Sequence, residues 1–332
     1  MARIIAAVVL VAVVGLAAAP SQTSPPPAFR TALFRFETDE FWLNLHHFLY
    51  VLGRSVAKTA DASRDAVVKA PDDSRRGLAM LDEAEKNGWL KAMAFYAAGL
   101  SRKDAVFDDS VASITRALAD AGDAATLAEA PIDGGLRSIL EGAAPAYRKA
   151  WWPEHRAANI ARRDEIQTLV RRHGAAVLAF VTHAYGLPWA RDGYPVHFSG
   201  YANWAGAYST TGNLLVVSSL DRSTQGLAGL ETVFHEGMHQ WDPTIDDQLS
   251  AEARRIGKRL PPGASHAMIF FTAGEAIRSI AADYTPVAEA FGVWGRGLVS
   301  LKTALQETWQ PFLDGRGTRE EALAAYVARV GR

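Results

Sequence analysis

The run Val233-Phe234-His235-Glu236-Gly237-Met238-His239-Gln240-Trp241 decides how this chain is read. His235 and His239 are four residues apart. On an α-helix such residues lie one above the other, so both imidazoles can reach a single ion. Glu236 is rotated about 100° from the first histidine, where it can meet a water beside that ion rather than the ion itself. Two neutral imidazoles and one carboxylate hold zinc while leaving a coordination position open, which is what metal-assisted hydrolysis requires. The expected cofactor is therefore Zn2+, with Glu236 as general base. Helical periodicity runs from Ser223 to Trp241, and Pro243 is expected to stop it.

Working outward, the residues before this helix read as strands: Tyr194–Tyr201, Trp204–Ser209 and Leu214–Ser218, the last two joined by the turn formers Thr211-Gly212-Asn213. After it comes a connector rich in charges and prolines, then a helix over about Ser265–Tyr284 and two more helices. The last of these is opened by the capping-box pattern Thr318-x-x-Glu321. Upstream of Gly186 the chain reads as helix after helix. Phe41, Leu45, Phe48 and Leu52 form an apolar stripe, and the remaining faces of that segment are apolar as well, so it is expected to be buried nearly all round. Further helical patterns cover Arg76–Ala98, Val111–Ala128 and about Leu136–His173, with a turn at Ile132–Gly135. The expected class is a helix-rich α+β protein, with a helical region over 31–185 and a metal-bearing region over 186–332.

Between Asn203 and Arg278 the sequence resembles the gluzincin zinc metallopeptidases, the thermolysin-like enzymes and zinc aminopeptidases. There a strand pair and an HExxH helix precede a later helix that supplies a glutamate. The resemblance implies a zincin-like core, zinc on His235 and His239, and Glu236 as catalytic base of a peptidase. It also implies a role for the outer hairpin strand, Asn203–Tyr208, in pairing with an extended peptide substrate. For the third ligand the residues leave Asp242, Asp246, Asp247, Glu252 and Glu275 open. Glu275 is preferred because it stands alone in the apolar run Ala267–Ile277, where an unpaired carboxylate is costly to bury. Its position 36 residues after His239 is a longer gap than the aminopeptidases show. One helical turn beyond it stands Ser279, where many gluzincins carry an acid; Ser279, Asp283 and Arg278 are read as ligand-orienting or substrate-pairing residues. Candidate oxyanion donors are Tyr208, His266 and Tyr284, and Ala207, Tyr208 and His266 are taken as the substrate-binding set. His46 and His47, on an aromatic-rich helix, are read as core residues with satisfied hydrogen bonds.

Composition sets the boundaries of this reading. The 332 residues are 49% hydrophobic and 21% charged, which suits a folded globular chain. A net charge of −1 and no long basic run give nucleic acid no electrostatic footprint. With no cysteine, disulfides and thiolate metal sites are excluded, so a metal must rest on histidine and carboxylate. Arg3 followed by the apolar run Ile4–Ala19 and then a polar, Pro-rich stretch has the layout of a secretory signal peptide. Residues 1–19 are read as that signal and 20–30 as a linker, which predicts a secreted or periplasmic protein without stable membrane insertion. The partner expected is a peptide or protein substrate. Two other readings remain open: a zinc hydrolase of non-peptide amides or esters, and an exported binding protein that keeps a zincin scaffold without turnover.

Overall fold

Helix Phe41–Val56 has no polar face wide enough to meet water, and the fold surrounds it: every residue from Phe41 to Arg54 is buried. The computed structural model describes residues 33–61, 64–210 and 214–332; the segments read as signal peptide and linker, and the turn Thr211-Gly212-Asn213, lie outside them. The described chain opens with a short strand, β1 (Phe34–Glu37), followed by six α-helices. These are α1 (Phe41–Val56), α2 (Asp65–Leu78), α3 (Glu83–Ala98), α4 (Asp109–Ala121), α5 (Gly134–Ala150) and α6 (Trp152–Tyr185). Strands β2 (Tyr194–Ser199), β3 (Ala207–Thr210) and β4 (Leu214–Ser218) come next. The chain then forms α7 (Gly226–Met238), α8 (Asp242–Arg255), α9 (Ala264–Arg278), α10 (Val287–Ala290), α11 (Val299–Thr308), α12 (Gln310–Leu313) and α13 (Arg319–Val330).

The four strands make one mixed sheet in the order β1-β2-β4-β3. β1, β2 and β4 run parallel, and β3 lies antiparallel on the edge, with Tyr208 opposite Val216. Both faces of the sheet are covered, and side chains alternate between them along each strand. On β4, Leu215 and Val217 join the core built from α6, α7 and α9, while Leu214 and Val216 join the one built around α1, α3 and α5. Burying each of these side chains contributes at most ~1.5–3 kcal/mol. Asn44 of α1 locks the helical layer to the sheet: its Nδ2 donates to the Phe198 carbonyl (3.1 Å) and its Oδ1 accepts from Gly200 N (2.8 Å). From Leu33 onward the described residues form one compact unit.

Expectations change in several places. The outer hairpin strand begins only at Ala207 and runs to Thr210, and four helices rather than two follow α9. Three further departures bear on the site. β1 is absent from the sequence reading; its four residues take their register entirely from β2, with Phe34 opposite Tyr194. Pro243 does not end helical structure. It sits in the first turn of α8, where a missing N–H costs nothing, and most of the supposed connector is that helix. The third departure is that α9 ends at Arg278, short of Tyr284. The Thr318–Glu321 capping box is present at the start of α13. Among the described residues no helix is long and apolar enough to cross a membrane.

Candidate metal centre

α7 packs against the sheet and α9 packs against α7, and the site forms where those two helices face each other. Gly237 explains how α7 fits there: a Cβ at this position would stand 2.5 Å from the Trp189 ring, so the indole can lie against the helix only over glycine. Phe234, one turn before Gly237 on the same side, meets Phe34 edge-on at 5.2 Å and Trp189 at 5.5 Å, which fixes that side of the helix in the core. His235 and Glu236 are buried. α7 passes into a 3-10 turn at His239, so the second histidine stands at the helix end.

His235, His239 and His266 each offer one ligand atom, and the three atoms lie within 4.8 Å of one another. They form a group that could hold a metal ion. His235 Nε2 and His266 Nε2 are 3.3 Å apart, too close for two bare lone pairs unless a proton or a cation lies between them. His239 Nδ1 is hydrogen bonded to Asp242 Oδ2 at 2.8 Å, which orients the ring and leaves Nε2 for the centre. Phe270, one turn after His266 on α9, lies against two of the three rings: its ring centroid is 4.1 Å from that of His235 and 4.6 Å from that of His266, while His266 itself is exposed. His235 Nδ1 is buried without a hydrogen-bond partner.

Burial favours neutral imidazole at His235 and, despite the exposure of the residue as a whole, at the His266 ring, which it lowers to about 4, while His239 leans the other way. Burial, reinforced by the neighbouring imidazoles of His239 and His266, holds His235 well below the usual imidazole range. For His239 burial works in the same direction, but the Asp242 hydrogen bond and the Glu236 charge outweigh it and raise the group. Burial pushes the Glu236 carboxyl up, partly opposed by His239, whose Nε2 lies 3.9 Å from Glu236 Oε2. A carboxylate held closer to neutrality than usual is better matched to passing protons near pH 7.

The other predicted residues are distributed differently. Glu275 does not join the group. It lies nine residues beyond His266 on α9, about 13 Å along the axis, and its Oε1 accepts from Arg278 Nη1 at 2.8 Å. The charge in the apolar run is met by an arginine one turn on. Glu252 pairs with Arg255 on the surface of α8. Ser279 donates to the Ala276 carbonyl and Asp283 is exposed; the acid that orients a histidine of the group is Asp242. Its i, i+3 spacing from His239 was the available signal. His266, expected as a substrate or oxyanion residue, groups with His235 and His239.

Strand alternation separates the remaining pair. Ala207 lines a cleft of about 410 Å³ that opens beside His235 and Glu236. Tyr208 points to the opposite face, where its hydroxyl meets His47 Nε2 at 2.7 Å, so it is no part of the cleft. Tyr284 does not line it either. Ser209, which the sequence reading passed over, donates to the Glu236 carbonyl at 3.0 Å and ties β3 to the motif helix. No family model, curated protein or solved structure matches this chain.

Proposed function

We propose that this chain is an exported zinc-dependent peptidase with a zincin-like core, in which His235, His239 and His266 hold the metal and Glu236 is the general base. One observation carries the reading. Zn–N bonds of ~2.0–2.1 Å at tetrahedral angles place ligand nitrogens roughly 3.3–3.4 Å apart, and His235 Nε2 and His266 Nε2 stand at 3.3 Å. The third ligand departs from the gluzincin pattern, an imidazole taking the place of the glutamate. Zinc supplies Lewis acidity, making water acidic near neutrality and polarising a carbonyl.

The chain's own residues do the rest. Glu236 accepts the proton of the attacking water and hands it to the leaving amine. Phe270 keeps bulk water off one side of the imidazoles. The short antiparallel strand β3 stands on the sheet edge beside α7, in position to pair with an extended peptide. Gly206 leads into that strand with φ +91°, and a Cβ there would come within 2.7 Å of Ser223 Oγ. Replacing the carboxylate by its amide tests the assignment. Glu236→Gln should keep zinc at the parent level while hydrolysis of peptides falls by about 10²-fold or more. Parent-level turnover in that variant rules Glu236 out as the base.

The all-imidazole ligand set favours a second reading. Three neutral ligands leave the ion's full charge uncompensated, as in zinc sites that activate water for non-peptide electrophiles. Turnover of amides or esters with no turnover of any peptide would select it.

A further inference from the structure

The cleft beside Glu236 carries more cationic than free anionic groups. Arg64, Arg222 and Arg296 all line it, together with Glu236 itself and the further acids Asp221 and Glu231. Both further acids are engaged locally. Asp221 Oδ1 accepts from Ser223 N (2.8 Å) and Ser223 Oγ (2.7 Å). Glu231 accepts from Val287 N at 3.0 and 3.2 Å, and burial pushes its carboxyl up to about 7.

The arginines are held differently. Arg64 lies over the Trp204 ring at 5.9 Å, Arg222 lies over Phe291 at 5.6 Å, and Arg296 donates to the Phe291 carbonyl at 3.2 Å. Among the described residues neither Arg64 nor Arg296 forms an ion pair with a carboxylate. Their charges also repel: burial first, and then Arg64, lower the pKa of Arg296. Two like-charged forks that line one cleft, held by aromatic and backbone contacts and without an ion-pair partner among the described residues, are arranged for an anion from outside.

We infer that the cleft selects peptides bearing a free carboxylate, gripped by Arg64 and Arg296 while the scissile bond lies at His235 and Glu236. The inference rests on the peptidase reading for its choice of peptide, but recognition of the carboxylate needs no turnover. A carboxylate matches the planar fork of guanidinium in two-point contact, and the aromatic floor of Trp204 and Phe291 accommodates the apolar part of the chain. The carboxylate has two sources, a chain terminus or an acidic side chain.

The experiment measures binding to the full chain after metal removal by chelation, so that catalysis plays no part. Three probes are titrated by calorimetry: acetyl-tetra-alanine with a free C-terminus, the same peptide as its C-terminal amide, and acetyl-Ala-Glu-Ala amide. One or both carboxylate probes should bind at least about tenfold more tightly than the neutral amide. The advantage should shrink with salt. A preference for the first names the terminus as the source, and a preference for the third names the side chain. The double variant Arg64→Gln/Arg296→Gln should bring the ratio close to one while keeping zinc content unchanged. Arg296→Gln alone should lower the ratio, which keeps the test open if the double variant folds poorly. Equal binding of all three probes overturns the inference, and so does a carboxylate advantage that survives in the double variant. If peptides are never hydrolysed yet the ratio holds, the carboxylate site stands and the peptidase reading falls.

Discussion

Two histidine pairs sit on opposite sides of the sheet, and their geometry is nearly the same. His46 and His47 have ring centroids 5.2 Å apart at 70°, and His235 and His239 have theirs 5.1 Å apart at 84°. What distinguishes them is partners. His47 Nδ1 meets the Leu43 carbonyl at 2.9 Å and so must donate, which leaves Nε2 to accept from Tyr208 at 2.7 Å. His46 Nδ1 is paired with Tyr96 Oη at 2.8 Å. On the other side His235 turns Nε2 toward another imidazole and leaves Nδ1 without a partner. Burial and proximity are therefore common to a structural pair and to the pair proposed to bind metal. The hydrogen-bond inventory is what separates them.

The largest effect expected from this contrast is on metal. His266→Ala, like His235→Ala or His239→Ala, should lower zinc affinity by on the order of 10³-fold or more, because a three-ligand site left with two loses its chelate. His47→Asn should leave one zinc per chain and show its cost in stability instead. Metal content by elemental analysis after dialysis against a weak chelator separates the two outcomes. Full zinc in His266→Ala would return the third position to a carboxylate and dissolve the distinction drawn between the pairs.

The next effect is on acid stability, and it belongs to the structural pair. Burial holds His47 down at about 4, with His197 adding to the shift and the Leu43 hydrogen bond opposing it, and burial lowers His46 as well. In the unfolded chain both titrate near ~6.5. Because the folded value is the lower one, the contribution of neutral His47 to stability is complete above about pH 6.5. It is lost as pH falls from there toward 4, where the unfolded state takes up a proton that the folded state refuses. At ~1.4 kcal/mol per unit, the loss from His47 alone approaches about 3 kcal/mol at the acid end. Urea unfolding at pH 7, 6 and 5 should show a steep fall for the parent protein and a shallower one for His47→Gln. Parallel curves would mean that His47 is not held neutral by the fold.

How much of this was legible in the sequence follows from the range of each interaction. His235, Glu236 and His239 are joined by helix geometry within five residues, and the structure brings them together. Ala207 and Tyr208 were read onto one strand, but the pleat that sends them to opposite faces also removes Tyr208 from the cleft. β1 carries no signal of its own, since four residues pair in parallel only because β2 is there to receive them. The third histidine depends on which turn of α9 faces α7. That is set by packing at Met268, Ile269 and Phe271, all buried, and by Phe270 lying against two of the imidazoles. Nothing within a short window of sequence encodes that rotation. Glu275 stands apart from the three imidazoles, and the reason is more local. An isolated carboxylate in an apolar run does need a partner, yet Arg278 stood three residues away in the sequence.

The smallest effect expected is the one that tests this point. Glu275 receives Arg278 Nη1, and the same guanidinium reaches the Glu289 carboxylate at 3.4 Å and the Tyr284 carbonyl at 3.2 Å. With Arg278 about one-third exposed, such a pair is screened by water, and exposed pairs contribute ~0.2–1 kcal/mol. Glu289 and the Tyr284 carbonyl remain to receive the guanidinium when Glu275 is neutralised, so no buried charge is stranded. Glu275→Gln should therefore cost about 1 kcal/mol or less in denaturant unfolding and leave zinc affinity within roughly threefold of the parent. The result gains force when set beside His266→Ala in the same titration. A drop of more than about tenfold in Glu275→Gln, with His266→Ala still loaded, would show that α9 turns its glutamate and not its histidine toward the metal. Loss of zinc in both would place the two residues in one coupled network along α9. The Arg278 pair would then join α9 to the metal, and the contrast between the two histidine pairs would have to include it.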